Sequence, residues 1–163
     1  MPRVLCTALS TETGPHFQLL ANAGFEVAVP DRSRSLYKSD ALLEAARGFD
    51  AIIAGSEPWP RALIEQLPEL RVLSRTGVGF DAIDLAACDD HQVVVATTPG
   101  VNHHAVAEHT LALLLAAARG FPRRDQVVRA GAWERPSTPR MMGRTLGVVG
   151  LGRIGQAFVE KVA

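Results

Sequence analysis

Short apolar runs that do not alternate with polar residues recur through the first hundred positions, and stretches with helical features separate them. That rhythm constrains the fold more than any other feature. A strand with one wet face alternates apolar and polar side chains, whereas a strand covered on both faces is apolar throughout. Strands of the second kind, joined by helices, build a parallel sheet with helices packed over it. The runs predict strands over 4–8, 26–29, 51–54, 71–74 and 93–96. Helices are expected over 14–23, closed by Gly24, and over 39–47, with Ser39 as cap and Gly48 beyond. A third spans 61–66 between Pro60, which a first helical turn tolerates, and Pro68. Asp84 caps a short fourth helix that runs to Cys88. For residues 1–98 the fold class that follows is α/β, a doubly wound parallel sheet.

The character changes at Thr97-Thr98-Pro99-Gly100, a turn or hinge signal. A long helix is expected over 102–119, with Asn102 in the capping position. Its centre, 111–118, is apolar on every side, which predicts burial all round. Gly120 and Pro122 stop it, a polar helix over 123–130 follows, and a loop passes through Gly131, Pro136 and Pro139. A strand over 145–149 then runs into Gly150-Leu151-Gly152-Arg153-Ile154-Gly155, with a helix over 154–162 after it.

Composition narrows the function classes. Lys plus Arg and Asp plus Glu both number 17, so the formal net charge is zero, which argues against a polycationic nucleic-acid binder. Apolar residues make up 47% of the 163 positions, enough for a sizeable core. The apolar run 111–118 is far shorter than the roughly 20 residues of a membrane span, and the first residues do not read as a signal peptide. Cys6 and Cys88 have no metal-type spacing and read as buried thiols in a reducing compartment. A soluble, cytoplasmic protein with neither nucleic acid nor membrane as partner is expected.

The glycine run has the context that dinucleotide binding requires, a strand before it and a helix after it. Gly150 permits the tight turn, Gly152 lets backbone approach a pyrophosphate, and Gly155 allows close helix packing. The helix N-terminus offers free N–H groups and a positive dipole end to the phosphates. The plain alternative is a tight strand-to-helix turn without a ligand. The fingerprint predicts an acidic residue about 20 positions on, near residue 170, beyond Ala163. A single strand there would also lack neighbours for its backbone groups. The expectation is therefore a piece of a longer protein, or a segment that borrows partners.

A second glycine loop, Arg75-Thr76-Gly77-Val78-Gly79-Phe80-Asp81, follows the fourth strand at the edge where open α/β sheets bind ligands. Its backbone N–H groups can form a nest for a carboxylate or phosphate, and Arg75 adds positive charge. An ordinary turn feeding the Asp84 helix is the alternative. His103, His104, Glu108 and His109 lack the arrangement of a zinc site and read as the polar start of a helix; no metal is expected. Trp59 and Trp133 read as packing anchors.

Taken together, these stretches resemble the NAD-dependent D-2-hydroxyacid dehydrogenases, in particular the D-3-phosphoglycerate dehydrogenase-like branch. The resemblance rests on residues 75–84, on Thr98-Pro99-Gly100-Val101-Asn102, on Val106-Ala107-Glu108-His109-Thr110, on Arg129-Ala130-Gly131-Ala132-Trp133, and on 143–155. It implies a flavodoxin-like substrate domain over 1–98 and the start of a Rossmann NAD-binding domain over 99–163, reached through a long crossing helix. It further implies that Val78 and Gly79 offer backbone amides to a substrate carboxylate, beside Arg75, with Asn102 lining the same pocket. Val106 would pack beside the nicotinamide, and Gly150, Gly152, Arg153, Ile154 and Gly155 would hold the pyrophosphate of NAD, with NADP as the other option. The family's catalytic arginine, acidic residue and histidine match no position up to Ala163. A homodimer is implied as well.

One departure concerns the substrate. Phosphoglycerate enzymes place an arginine in the loop after the third strand, and here that loop reads Gly55-Ser56-Glu57-Pro58-Trp59. This counts against 3-phosphoglycerate, and other small 2-hydroxy or 2-keto acids fit as well. The expected function is hydride transfer between a nicotinamide and such an acid, with this stretch alone inactive. The rival expectation is a non-catalytic module that dimerises or pairs with a full-length homologue.

Overall fold

The computed structural model describes residues 1–8, 14–31 and 33–163, which divide into two compact units, Met1–Pro99 and Gly100–Ala163. In the first unit lie five strands: β1 (Arg3–Cys6), β2 (Glu26–Ala28), β3 (Ala51–Ala54), β4 (Val72–Arg75) and β5 (Val94–Ala96). They form a sheet of order β2-β1-β3-β4-β5 in which every neighbouring pair is parallel. Helices α1 (Pro15–Asn22), α2 (Ser39–Ala46), α3 (Arg61–Ile64) and α4 (Leu85–Asp90) make the crossovers. This is a doubly wound parallel sheet, as the apolar runs predict, in the flavodoxin-like order that the resemblance implies.

The register explains the core. Ala28, Leu5, Ile52, Leu73 and Val95 pair in a row across all five strands. They share one face, and Leu42, Leu63, Ile64, Trp59 and Cys88 pack in the same cluster. The neighbouring residue Cys6 points the other way, where its Sγ lies 3.9 Å from His16 Nε2 of α1. Helices thus cover both faces, which is why these strands do not alternate. Cys6 and Cys88 are both buried free thiols, and burial, with Asp84 and Asp89 adding to it, pushes the Cys88 thiol up.

Several local expectations are corrected. The first strand ends at Cys6, β4 is offset by one residue from the predicted bounds, and β5 starts one residue later than predicted. Ser39 is the first helical residue of α2, with Lys38 in the cap position and no side-chain cap bond. Asp84 does cap α4, its carboxylate accepting from Ala87 N at 2.9 Å. Trp59 is fully buried as an anchor, but Trp133 is 80% exposed.

The second unit holds α5 (His103–Arg119), α6 (Phe121–Arg129) and α7 (Arg153–Val162). Ala107 of α5 packs against Ala157 and Phe158 of α7, flanked by Leu111 and Leu114, and Lys161 Nζ donates to Glu108 Oε1 at 3.1 Å. Asn102 occupies the N-cap position of α5 without a side-chain cap bond. Gly120 ends α5 in the left-handed region, and Pro122 lies in the first turn of α6, so it starts a helix as well as following one. Burial of α5 all round is not observed. Ala107 is its one buried residue, and Leu113 is 58% exposed, because within this unit only α7 covers an extended part of it. The strand predicted over 145–149 is absent too. No other strand lies within the unit to satisfy its backbone, and Val149 stands fully in solvent.

Leu73 is fully buried at the centre of the sheet and Leu19 is 68% exposed on α1. Leu73→Ala is expected to lower unfolding free energy by about 2–5 kcal/mol, and Leu19→Ala by under about 0.5 kcal/mol. Urea denaturation of the two variants beside the parent checks the contrast.

Candidate functional site

The carboxyl ends of the parallel strands place the first group of candidate residues. β4 ends at Arg75, and Thr76 is pinned to β3, its N–H and hydroxyl both donating to Ala54 O at 3.0 and 3.1 Å. Further on, Gly77 O accepts from Thr98 N at 3.1 Å, and Ile83 N donates to Phe80 O at 2.9 Å. Trp59 N donates to Ala82 O at 2.7 Å, and Trp59 O accepts from Asp84 N at 3.0 Å. The loop is thereby fixed at its start, middle and end. Between those anchors the N–H groups of Val78 and Gly79 have no acceptor among the described residues, and both residues are exposed.

Arg75 lies against this loop. A Cβ placed on Gly77 would sit 2.9 Å from Arg75 Nη1, so the glycine lets the guanidinium fold back over the turn. Arg75 is half-buried and has no ion pair or hydrogen-bonded side-chain partner among the described residues. Two free backbone donors beside an unpaired guanidinium are suited to an anion the size of a carboxylate.

The glycine turn of the second unit has its own geometry. Gly150 adopts φ +92°, which an L side chain rarely takes. A Cβ on Gly155 would lie 2.2 Å from Gly150 O, so the turn and the first helical turn of α7 touch backbone to backbone. A Cβ on Gly152 would meet no described atom within 4 Å, which leaves its face open to a ligand. Arg153, Ile154 and Gly155 form the first turn of α7, where N–H groups have no intrahelical partner, and no side chain caps them. Gln156 Nε2 donates to Leu151 O at 3.1 Å and holds the turn closed. This uncapped, open-faced turn fits a pyrophosphate.

Asn102 and Val106 lie at the start of α5, Asn102 exposed and Val106 half-buried. The rings of His103 and His104 lie 4.1 Å apart, and His103 Nδ1 is buried without a partner among the described residues. The structure thus gathers Arg75, Val78 and Gly79 on one loop of the first unit. It gathers Gly150, Gly152, Arg153, Ile154 and Gly155 on one turn of the second.

One feature is not evident from sequence. Glu57, 4% exposed, accepts from Gly55 N at 3.1 Å and from the Thr7 hydroxyl, whose oxygen lies 3.2 Å from Ile53 O. A Cβ on Gly55 would meet Glu57 Oε2 at 2.7 Å and Ala8 Cα at 3.3 Å, so this loop needs glycine there. A polar residue directly after β1 and an acid two positions past a glycine after β3 are the signals that could have linked them.

The sequence matches the D-isomer specific 2-hydroxyacid dehydrogenase catalytic domain over residues 4–162. The chain belongs to that family. The D-3-phosphoglycerate dehydrogenase of Mycobacterium bovis is 41% identical over 127 residues, 76% of this chain and 24% of the relative. The glyoxylate reductase of Pyrococcus furiosus is 34% identical over 98% of this chain and 49% of the relative. Among solved structures, a Thermus thermophilus protein superposes with TM-score 0.83 at 32% identity, covering 98% of this chain and 52% of that one. The NAD-dependent formate dehydrogenase of Staphylococcus aureus, solved with NAD, gives TM-score 0.83 at 26% identity, over 100% of this chain and 53% of that one. The chain therefore spans between about a quarter and a half of the proteins it matches.

Gly155→Ala must displace either Gly150 or the start of α7, and it is expected to cost about 1–3 kcal/mol as an overpacked contact does. Gly152→Ala, with open space around it, is expected to cost no more than about 1 kcal/mol. Thermal melts followed by circular dichroism distinguish the two, and equal losses would contradict the geometry.

Proposed function

We propose that the protein carrying these residues is a nicotinamide-dependent oxidoreductase that interconverts a small D-2-hydroxy acid and its 2-keto acid. The observation that carries this reading is the anion cradle of residues 75–79, in a chain of this family. Free N–H groups at Val78 and Gly79 lie in the same loop as an unpaired Arg75 guanidinium. Such a cradle grips the substrate carboxylate and so orients C2 for reaction, and the charge-assisted bonds discriminate against compounds lacking that carboxylate.

The glycine turn of the second unit is assigned to NAD. Gly152, Arg153, Ile154 and Gly155 hold its pyrophosphate on the uncapped helix start, Gly150 shapes the turn, and Val106 packs beside the nicotinamide ring. When bound, the nicotinamide supplies or accepts the hydride. The cofactor assignment is supported by the open Gly152 face and by the NAD complex of the Staphylococcus aureus relative. His103, His104 and His109 all lie on the first two turns of α5 and none on the carboxylate loop, so they are not assigned the proton transfer. The 163-residue polypeptide by itself is proposed to be inactive, because the family's catalytic arginine, acid and histidine match none of its positions. A cytoplasmic homodimer is the proposed state, and two buried free thiols suit that compartment.

The test uses the native polypeptide that carries these residues, captured from its source cells and weighed intact by mass spectrometry. Steady-state NADH oxidation is then followed with glyoxylate, pyruvate and hydroxypyruvate. Turnover of at least one acid is expected; none with any acid, using NADH or NADPH, overturns the reading. Arg75→Gln is expected to raise KM for the acid about 10- to 100-fold, from the loss of a charged hydrogen bond worth roughly 1.5–3 kcal/mol. The KM for NADH should stay near its parent value in that variant.

A further inference from the structure

One strand over from the carboxylate cradle, a cavity of about 300 Å³ opens at the ends of β1 and β3, lined by Thr7, Tyr37, Ser56 and Glu57 among others. This is the switch point of the sheet, where β2 lies on one side of β1 and β3 on the other, and where crevices form in open α/β folds. Adjacent strands stand about 4.8 Å apart, roughly the span of a three-carbon acid from its carboxylate to its terminal substituent. Thr76 is bonded to Ala54 O, so the cradle begins beside the loop that carries Glu57.

The chemistry of this cavity is acceptor-rich. Glu57 Oε1 takes the Gly55 N–H and the Thr7 hydroxyl, which fixes the carboxylate, while Oε2 has no donor among the described residues. Arg34 also lines the cavity, but its guanidinium is engaged by both Asp40 and Glu44. No unpaired cation is found among the described lining residues.

On the basis of the proposed activity, we propose that Glu57 determines substrate specificity. It accepts a hydrogen bond from a donor on the distal end of the 2-keto acid, a hydroxyl or an ammonium, and it repels a phosphorylated distal end. The carboxylate is held by backbone and by Thr7, so it cannot swing away to admit a second anion, and a fixed like charge in a partly desolvated cavity disfavours that anion strongly.

The experiment compares kcat/KM of the native polypeptide for hydroxypyruvate and for 3-phosphohydroxypyruvate. The parent is expected to favour hydroxypyruvate by about tenfold or more. Glu57→Gln should shrink that ratio by about tenfold, chiefly through the two KM values. Glu57 is buried, so Ser56→Arg serves as a second variant, because Ser56 is an exposed residue of the same cavity. It should shift the ratio towards the phosphorylated acid by a similar factor without disturbing the buried contacts. A parent that prefers the phosphorylated acid, or a ratio that Glu57→Gln leaves unmoved in a variant that still turns over glyoxylate, overturns the assignment of Glu57; a ratio that Ser56→Arg leaves unmoved overturns the assignment of this cavity to the distal end of the acid. Glyoxylate has no distal group, so its turnover by the parent reports on the oxidoreductase reading alone. Loss of glyoxylate and all other turnover sinks that reading, whereas glyoxylate turnover with an unmoved ratio sinks only the specificity assignment.

Discussion

The parallel pairing of β3 with β1 on one side and β4 on the other is the interaction on which the first unit depends. Parallel strands cannot be joined by a short turn, so each pairing demands a crossover, and each crossover brings a helix over the sheet. The helices then exclude water from both faces, and the row Ala28, Leu5, Ile52, Leu73 and Val95 becomes a continuous apolar layer. The same pairing sends every strand's carboxyl end to one edge. Thr7, Gly55 and Thr76 are neighbours there because the register makes them so, with Gly55 N 3.4 Å from Thr7 Oγ1 and Thr76 bonded to Ala54.

Both candidate binding elements use one physical device, backbone N–H groups left without acceptors. In the loop 75–79 they are freed by a chain path pinned at three points, and the deficit of negative charge is deepened by Arg75 folded over Gly77. In the turn 150–155 they are freed by the start of α7, where the aligned peptide dipoles contribute in place of a side chain. Side chains can be exchanged with little effect on such donors. The glycines cannot, since Gly155 abuts the Gly150 carbonyl and Gly150 takes a left-handed φ.

The sheet was legible in the sequence because its strands are covered twice, and runs such as Ala51-Ile52-Ile53-Ala54 suit little else. The Asp84 cap was legible because a short acid before an apolar helix satisfies the orphan N–H of Ala87 locally. Long-range features were not. That Glu57 would meet Thr7, fifty positions away, depends on the β1–β3 register. The family resemblance carried the assignment of Val78, Gly79 and the glycine turn. The structure adds what a motif lacks, the unpaired state of those N–H groups and the fold-back of Arg75. The strand over 145–149 and the burial of α5 failed for one reason: apolar character states a demand for partners, and the second unit contains few that could meet it.

Residues 145–149 also have a colloidal consequence. Their backbone groups make no backbone hydrogen bonds with any described residue, and Leu146, Val148 and Val149 are exposed beside them. An unpaired apolar segment of this kind is a template on which another extended chain can zip itself down. Encounters between two such segments rise as the square of concentration, so self-association through this segment is favoured steeply as the polypeptide is concentrated.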